Sequence, residues 1–99
     1  MKTNIAKENS IMKIQVSGII NTETAPEFEK EIMSKFDDFI TSVVFDFSQL
    51  DYISSAGLRV LLLVCKKVGE DKKVTIRNAK PEVREVFEMT GFDSFLAIE

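Results

Sequence analysis

The amino-acid sequence predicts an α/β fold, with a mixed four- to five-stranded sheet flanked by three to four helices. Two short segments at the N-terminus, separated by a polar turn, predict an antiparallel hairpin at one edge of this sheet. From residue 42 onward, strand patterns and helix patterns alternate, which favours parallel strands joined by right-handed crossovers. The 99 residues are enough for one domain, spanning residues 1–99, with one core.

The first half of the chain predicts the hairpin and one helix. Residues 3–8 and 11–17 are the predicted strands, Glu8-Asn9-Ser10 is the turn, and Gly18 starts the next connection. Thr24-Ala-Pro-Glu27 has the form of a capping box, with a proline acceptable in the first turn. The helix that follows carries one apolar face, composed of Ala25, Phe28, Ile32 and Phe36, with Met33 beside them.

The second half predicts the alternating strands and helices. Ser42 to Phe47 is a buried strand, Ser55 to Gly69 a helix, and Lys73 to Arg77 a further strand. A third helix starts at Pro81, with Val83, Val86 and Phe87 facing inward, and ends at Gly91. Phe95 to Ile98 predicts a last short strand.

The predicted helix 55–69 has apolar side chains on two surfaces. One helical face must lie in the core and contains Leu58, Leu61, Leu62, Cys65 and Val68. Val60 and Leu63 fall on the opposite side, among Arg59 and two lysines. Either another helix covers Val60 and Leu63, or they form a partner-binding surface with a cationic rim, which predicts an acidic rim on the partner. The second interpretation predicts that Val60→Glu or Leu63→Glu abolishes binding and leaves the melting temperature nearly unchanged.

Composition restricts the classes of partner and compartment. The net charge is −3 and the pI is about 5.0, which argues against a nucleic-acid partner because phosphate-backbone binders are normally basic. Cys65 is the only cysteine and excludes an internal disulfide, so a reducing cytoplasm is the expected location. The longest apolar run, Val60 to Cys65, is far shorter than the ~20 residues that span a bilayer, so we expect no membrane insertion.

Enzymatic chemistry has little support in the sequence, and we expect neither a catalytic residue nor a cofactor or metal. Histidine is absent, so no His-dependent triad or imidazole metal site is available. Asp46, at the end of a predicted strand, is the one candidate for a phosphoacceptor or Mg²⁺ ligand in a small phosphate-handling protein. The other predicted strand ends offer Ser17-Gly18 and Asn78-Ala79 instead of carboxylates, so loop and cap hydrogen bonding is the preferred role of Asp46 and Asp51.

The segment Ser54-Ser55-Ala56-Gly57 is the most informative feature of the chain. It sets small hydroxyls at the predicted start of a helix, beyond a buried strand, where backbone N–H groups favour negative charge. A phosphate on Ser55 would add about −1.5 to −2 charges to a surface of small neutral residues. The sequence therefore predicts a protein-binding switch at Ser55, although two serines before a helix often serve only as an N-cap.

The run Asp46-Phe-Ser-Gln-Leu-Asp-Tyr-Ile-Ser-Ser-Ala-Gly-Leu58 resembles the signature of STAS domains, specifically of the stand-alone anti-sigma factor antagonists. Gly18-Ile-Ile-Asn-Thr-Glu-Thr-Ala-Pro-Glu27 looks like the segment that leads into the first helix of that family, and Gly91-Phe92 like its ending. Two positions depart from the family pattern, because this chain has Ser54 and Asn21 where the family frequently has aspartate. Each departure leaves one carboxylate fewer beside the site.

The resemblance implies a STAS fold and a non-enzymatic regulatory function. The unphosphorylated protein would bind an anti-sigma factor that is also a GHKL-type serine kinase, and so release the sigma factor. Phosphorylation of Ser55, or less favourably of Ser54, would end the complex, and a PP2C-type phosphatase would reverse it. We expect the partner-binding surface to contain Asn21, Thr22, Asp51, Tyr52, Ser54, Ser55, Ala56, Gly57, Arg59, Val60 and Leu63. The alternative is a STAS domain that is never phosphorylated and serves as a subunit of a lipid-transport ABC complex or a signalling scaffold.

Overall fold

A computed structural model describes residues 1–69 and 73–99 of the chain. Within these residues, five strands form one sheet in the order β1-β2-β3-β4-β5. The strands are β1 (Lys2–Glu8), β2 (Ile11–Ile20), β3 (Ser42–Ile53), β4 (Lys73–Arg77) and β5 (Ala97–Ile98). β1 and β2 are antiparallel and the other neighbours are parallel, so the predicted mixed sheet with an N-terminal hairpin is confirmed.

Three α-helices and one 3-10 turn connect the described strands. They are α1 (Ala25–Lys35), α2 (Ser55–Val68), α3 (Pro81–Thr90) and the turn Phe92–Ser94. Gly91 ends α3 in the left-handed conformation, with φ of 77°, as its position after the last helical residue predicts. None of the described helices combines the length and apolar character needed to cross a bilayer.

The helices and the sheet enclose one continuous core. Val43, Phe45 and Phe47 alternate along β3 and are fully buried on one face of the sheet. The Phe45 ring lies 6.1 Å from Phe28 of α1, and the Phe47 ring lies 6.4 Å from Phe87 of α3, centroid to centroid. Such aromatic pairs contribute roughly 0.5–1.5 kcal/mol each beyond their buried area. Of the three positions of α3 predicted to face inward, Val83 and Phe87 are buried and confirmed, whereas Val86 is only half-buried against the core.

Two strands are longer than the sequence predicts. β2 does not end at Ser17 but continues to Ile20, and Gly18 lies inside it with φ of 92°. β3 does not end at Phe47 but continues to Ile53, because two register shifts against β2 keep the pairing intact. A Cβ on Gly18 would come within 3.3 Å of the Met1 backbone, so glycine serves both the backbone angle and the close approach. The final strand is shorter than predicted, because Phe95 ends the 3-10 turn and only Ala97–Ile98 pair with β4.

The start of α1 corrects the predicted capping box. Thr24 is the N-cap by position, but its side chain makes no capping hydrogen bond. Asn21 caps this segment three residues earlier: its Oδ1 accepts from the N–H groups of Glu23, at 2.9 Å, and of Thr24, at 3.0 Å. The Thr24 hydroxyl accepts from the Asn21 N–H and lies 3.0 Å from the Ile19 carbonyl, to which it donates. The threonine side chain therefore holds the β2–α1 loop instead of the helix.

The faces of α2 differ in part from the prediction. Leu58, Leu61 and Val68 are buried as expected, whereas Leu62 and Cys65 are only half-buried. Val64 is fully buried and was not predicted. Burial raises the pKa of the Cys65 thiol, which fits its predicted role as a small hydrophobic residue.

Candidate functional site

Three chain segments meet where α2 begins. The Ser54 N–H donates to the Ile20 carbonyl at 2.8 Å, which ties the end of β3 to the end of β2. Gly57 lies directly above both strands: a Cβ there would be 2.7 Å from the nearest side-chain carbons of Ile20 and Ile53. Glycine is therefore needed at position 57 because the helix approaches the strand ends too closely for a side chain. This contact places the first turn of α2 beside the loop that carries Asn21 and Thr22.

The two serines of the motif have different environments. Ser54 is the N-cap of α2, and its Oγ accepts from the Gly57 N–H at 3.4 Å while its carbonyl accepts from the Leu58 N–H at 2.9 Å. Ser55 is the first residue of the helix and is exposed, and no side-chain hydrogen bond of the described residues uses its hydroxyl. The Ser55 hydroxyl is thus accessible, whereas the Ser54 hydroxyl is engaged in the fold.

The first turn of α2 has a positive electrostatic character. It contains no acidic residue, and the N–H groups of Ser55 and Ala56 have no acceptor within the helix. Together with the helix dipole, such groups favour an anion at this end by about 0.3–1 kcal/mol at an exposed site. The local geometry therefore suits an added negative charge on Ser55.

A groove between α1 and α2 adjoins Ser55 and has a volume of about 420 Å³. Its lining consists of Thr22, Ala25, Pro26, Glu29, Ala56, Arg59 and Val60. The structure thus brings together four residues predicted for the partner surface, namely Thr22, Ala56, Arg59 and Val60. Asn21 precedes Thr22 in the same loop and is half-buried by its capping contacts.

Val60 is not an exposed residue as the partner-surface interpretation requires. It is 3% exposed and belongs to the core cluster, because α1 packs against this side of α2. Leu63 is 37% exposed, so of the two aliphatic residues only Leu63 is available on the surface. It follows Ser55 by eight residues, about 12 Å along the helix axis. For Val60 the burial favours the other interpretation, in which a neighbouring helix covers the residue, so we now expect Val60→Glu to lower the melting temperature.

Asp51 and Tyr52 lie near the end of β3 and are both exposed. The Asp51 carboxylate accepts a hydrogen bond from the Lys80 ammonium, at the start of α3. Tyr52 is 50% exposed and is paired in register with Ile19 of β2, which is 45% exposed. Sequence reasoning missed Ile19 because it ended the strand before Gly18. The two consecutive β-branched residues after that glycine, Ile19 and Ile20, were the signal that the strand could continue.

Asp46 lies inside β3, in register with Gln15 and Arg77, and not at a strand end as predicted. Its Oδ1 accepts from the Ser48 N–H at 3.0 Å and from the Asn78 amide at 3.5 Å. The Ser48 hydrogen bond is the main reason why the pKa of the Asp46 carboxyl lies below its usual range. These contacts fit the hydrogen-bonding role that the sequence favours over the phosphoacceptor role.

Comparison with known proteins agrees with this geometry. Over 99 residues the chain is 38% identical to a putative anti-sigma factor antagonist, BtrV, of Bordetella bronchiseptica, covering 99% of this chain and 85% of that protein. Over 89 residues it is 26% identical to the anti-sigma-F factor antagonist RsfB of Mycobacterium tuberculosis, covering 90% and 73% of the two chains.

A solved structure and a family match extend this comparison. The crystal structure of an anti-sigma factor antagonist from Mycobacterium paratuberculosis superposes with a TM-score of 0.87 at 26% identity. The superposition covers 98% of this chain and 83% of that one. The STAS domain signature matches residues 2–99. The chain therefore belongs to the STAS domain family.

Proposed function

We propose that this protein is an anti-sigma factor antagonist whose binding is controlled by phosphorylation of Ser55. In the unphosphorylated state it binds an anti-sigma factor and so releases the sigma factor. The anti-sigma factor is also a GHKL-type serine kinase, and a PP2C-type phosphatase restores the active state. The names of the relatives support the antagonist role, and the motif around Ser55 supports its control.

The observation that carries this proposal is the difference between the two adjacent serines. A kinase must reach the hydroxyl that it modifies, and the Ser55 hydroxyl is exposed at the first helical position. The Ser54 hydroxyl is less accessible to a kinase, because the residue is half-buried and its Oγ already accepts from the Gly57 N–H. Ser55 is therefore the phosphoacceptor of the pair.

The proposed reaction transfers the γ-phosphoryl group of ATP to Ser55 Oγ, with release of ADP and of the hydroxyl proton. Because it consumes ATP, we place it in the cytoplasm. The phosphate adds about −1.5 to −2 charges beside the groove. In the free protein water and the helix N-terminus solvate this charge, whereas a partner seated on the groove must desolvate it. A cost of about 3 kcal/mol weakens binding roughly a hundredfold, so no rearrangement of the fold is required.

The proposed partner surface surrounds Ser55. It combines the groove between α1 and α2 with the exposed pair Ile19 and Tyr52 at the end of the sheet, and with Leu63 further along α2. Arg59 gives this surface a positive rim, so we expect carboxylates opposite it on the partner.

The site of modification is tested by fragment mass spectrometry of the protein isolated from its own cells, in growth and under stress. We expect one phosphoryl group, on Ser55, whose amount varies with the condition. Ser55→Ala should remove it, and the matched control Ser54→Ala should keep it. A single unmodified mass in all conditions, together with a stable complex, would instead support the constitutive subunit of a transporter or scaffold.

The consequence of modification is tested by calorimetric titration with the anti-sigma factor of the same organism. We expect Ser55→Asp to bind at least tenfold more weakly than Ser55→Ala, which should bind tightly and stay bound in the presence of ATP. Equal affinities of these two variants would refute the switch.

A further inference from the structure

Arg59 lies one helical turn after Ser55 on α2. Residues four apart on a helix are neighbours, with about 5–6 Å between their β carbons. Both side chains are exposed, so neither is held away from the other by the core. The arginine guanidinium can therefore reach a group attached to Ser55 Oγ without any change in the helix.

The positive charge of Arg59 has no ion-pair partner within residues 1–69 and 73–99. The ion pairs found there are formed by Lys7, Lys13, Arg77 and Lys80. Two carboxylates lie around the site: Glu29 of α1 shares the groove with Arg59, and Asp51 is held by Lys80. Glu29 is therefore the only acidic group of the groove lining that competes for the guanidinium.

The order of the two residues along α2 also favours pairing. An acidic group that precedes a basic group by four residues stabilises a helix more than the reverse order, since each charge then suits the helix dipole. A guanidinium can bind two phosphate oxygens at once with parallel N–H···O hydrogen bonds. A phosphate on Ser55 supplies oxygens at the first helical position, and Arg59 follows at the fifth.

We propose that Arg59 binds the phosphate of phosphorylated Ser55 within the same helix, so that phosphorylation also withdraws the arginine from the partner surface. This inference rests on the proposed function, in which Ser55 carries the phosphate. One modification then acts twice: it adds negative charge beside the groove and removes the positive rim that an acidic partner would meet. Arg59 is a positioning residue for the phosphate and takes no part in the transfer reaction.

The test uses full-length protein with phosphoserine incorporated at position 55 during translation, which needs no kinase. A ³¹P NMR titration then measures the second pKa of the phosphate. An ion pair with Arg59 stabilises the dianion, so Arg59→Gln should raise this pKa by roughly 0.2–0.4, as expected for one such pair on a helix. The phosphate pKa of Arg59→Lys should lie between those of the unsubstituted phosphoprotein and of Arg59→Gln, because lysine keeps the charge and loses the paired hydrogen bonds.

Lys66→Gln is the matched control, since it removes the same charge from the same helix. Lys66 lies about 16 Å from Ser55 along the axis, beyond the screening length of about 8–10 Å at physiological salt. The second pKa of the phosphate in Lys66→Gln should therefore equal that of the unsubstituted phosphoprotein. In addition, the Arg59 Nε–H resonance should shift with the same midpoint as the phosphate.

Equal pKa values for Arg59→Gln and Lys66→Gln, or an Arg59 resonance that ignores the phosphate titration, would overturn this inference. Because the phosphoserine is installed directly, such a result leaves the proposed function intact. Conversely, an unmodified Ser55 in cells would refute the proposed function, whatever the pKa values show.

Discussion

Glutamate substitutions at Val60 and Leu63 separate the core side of α2 from its surface side. The two residues lie three positions apart on one helix and receive the same new side chain, so helix propensity is nearly matched. Val60 is 3% exposed and Leu63 is 37% exposed. We expect Val60→Glu to destabilise the fold strongly and Leu63→Glu to leave it nearly as stable as the wild type.

The magnitude follows from burial. Val60→Glu replaces a buried apolar side chain, which contributes about 1.5–3 kcal/mol, by a carboxylate that must lose its water or become protonated. The groove beside it already contains Glu29, so the new charge also meets one of the same sign. Together these effects should lower the free energy of unfolding by about 3 kcal/mol or more, and the whole free energy of unfolding of a typical domain is only about 5–15 kcal/mol. Leu63→Glu should cost about 0.5 kcal/mol, as surface substitutions usually do.

The assay is thermal unfolding followed by circular dichroism, with urea unfolding as a second measure. A loss of 1 kcal/mol lowers the melting temperature of a domain of this size by about 4–8 °C. We expect a decrease of about 12 °C or more for Val60→Glu and of about 4 °C or less for Leu63→Glu. If Val60→Glu had the same melting temperature as the wild type, α1 would not cover this residue.

Three further predictions concern the same end of the fold. Gly57→Ala should cost about 1–2 kcal/mol in urea unfolding, because a Cβ 2.7 Å from Ile20 and Ile53 overpacks the site by more than the gain in helix propensity offsets; a more stable variant would refute this. Asn21→Ala should lower the free energy of unfolding by about 1 kcal/mol in the same assay, because it removes the cap of the α1 segment. Glu27→Ala should change it by less than about 0.5 kcal/mol. A larger effect of Glu27→Ala than of Asn21→Ala would instead support the capping box. Since the folded-state pKa of Asp46 is lowered, its stabilising contribution is complete above the unfolded-state pKa of about 3.9 and is lost as the pH falls through the folded-state pKa. The stability advantage of the wild type over Asp46→Asn should therefore shrink below about pH 4, and an advantage that grows there would contradict the Ser48 contact.

The sequence by itself determined the fold class and the position of the candidate site. The alternating strand and helix patterns, Pro81 at the first position of α3 and Gly91 after its last residue are local signals, because periodicity and backbone preference depend only on near neighbours. The two serines before an apolar run predicted the start of α2, and the structure begins this helix at Ser55.

Only the tertiary structure decided which surface of each element is covered. Val60 is buried because α1 packs beside it, and no pattern within α2 states which neighbour lies there. β3 continues past Phe47 because β2 offers it a partner through two register shifts, which local polarity does not reveal. The position of the motif likewise depends on long-range contacts: the Ser54 N–H donates to the Ile20 carbonyl, and Gly57 lies against Ile20 and Ile53. Such long-range contacts depend on the packing of the whole chain, so no local sequence pattern reveals them.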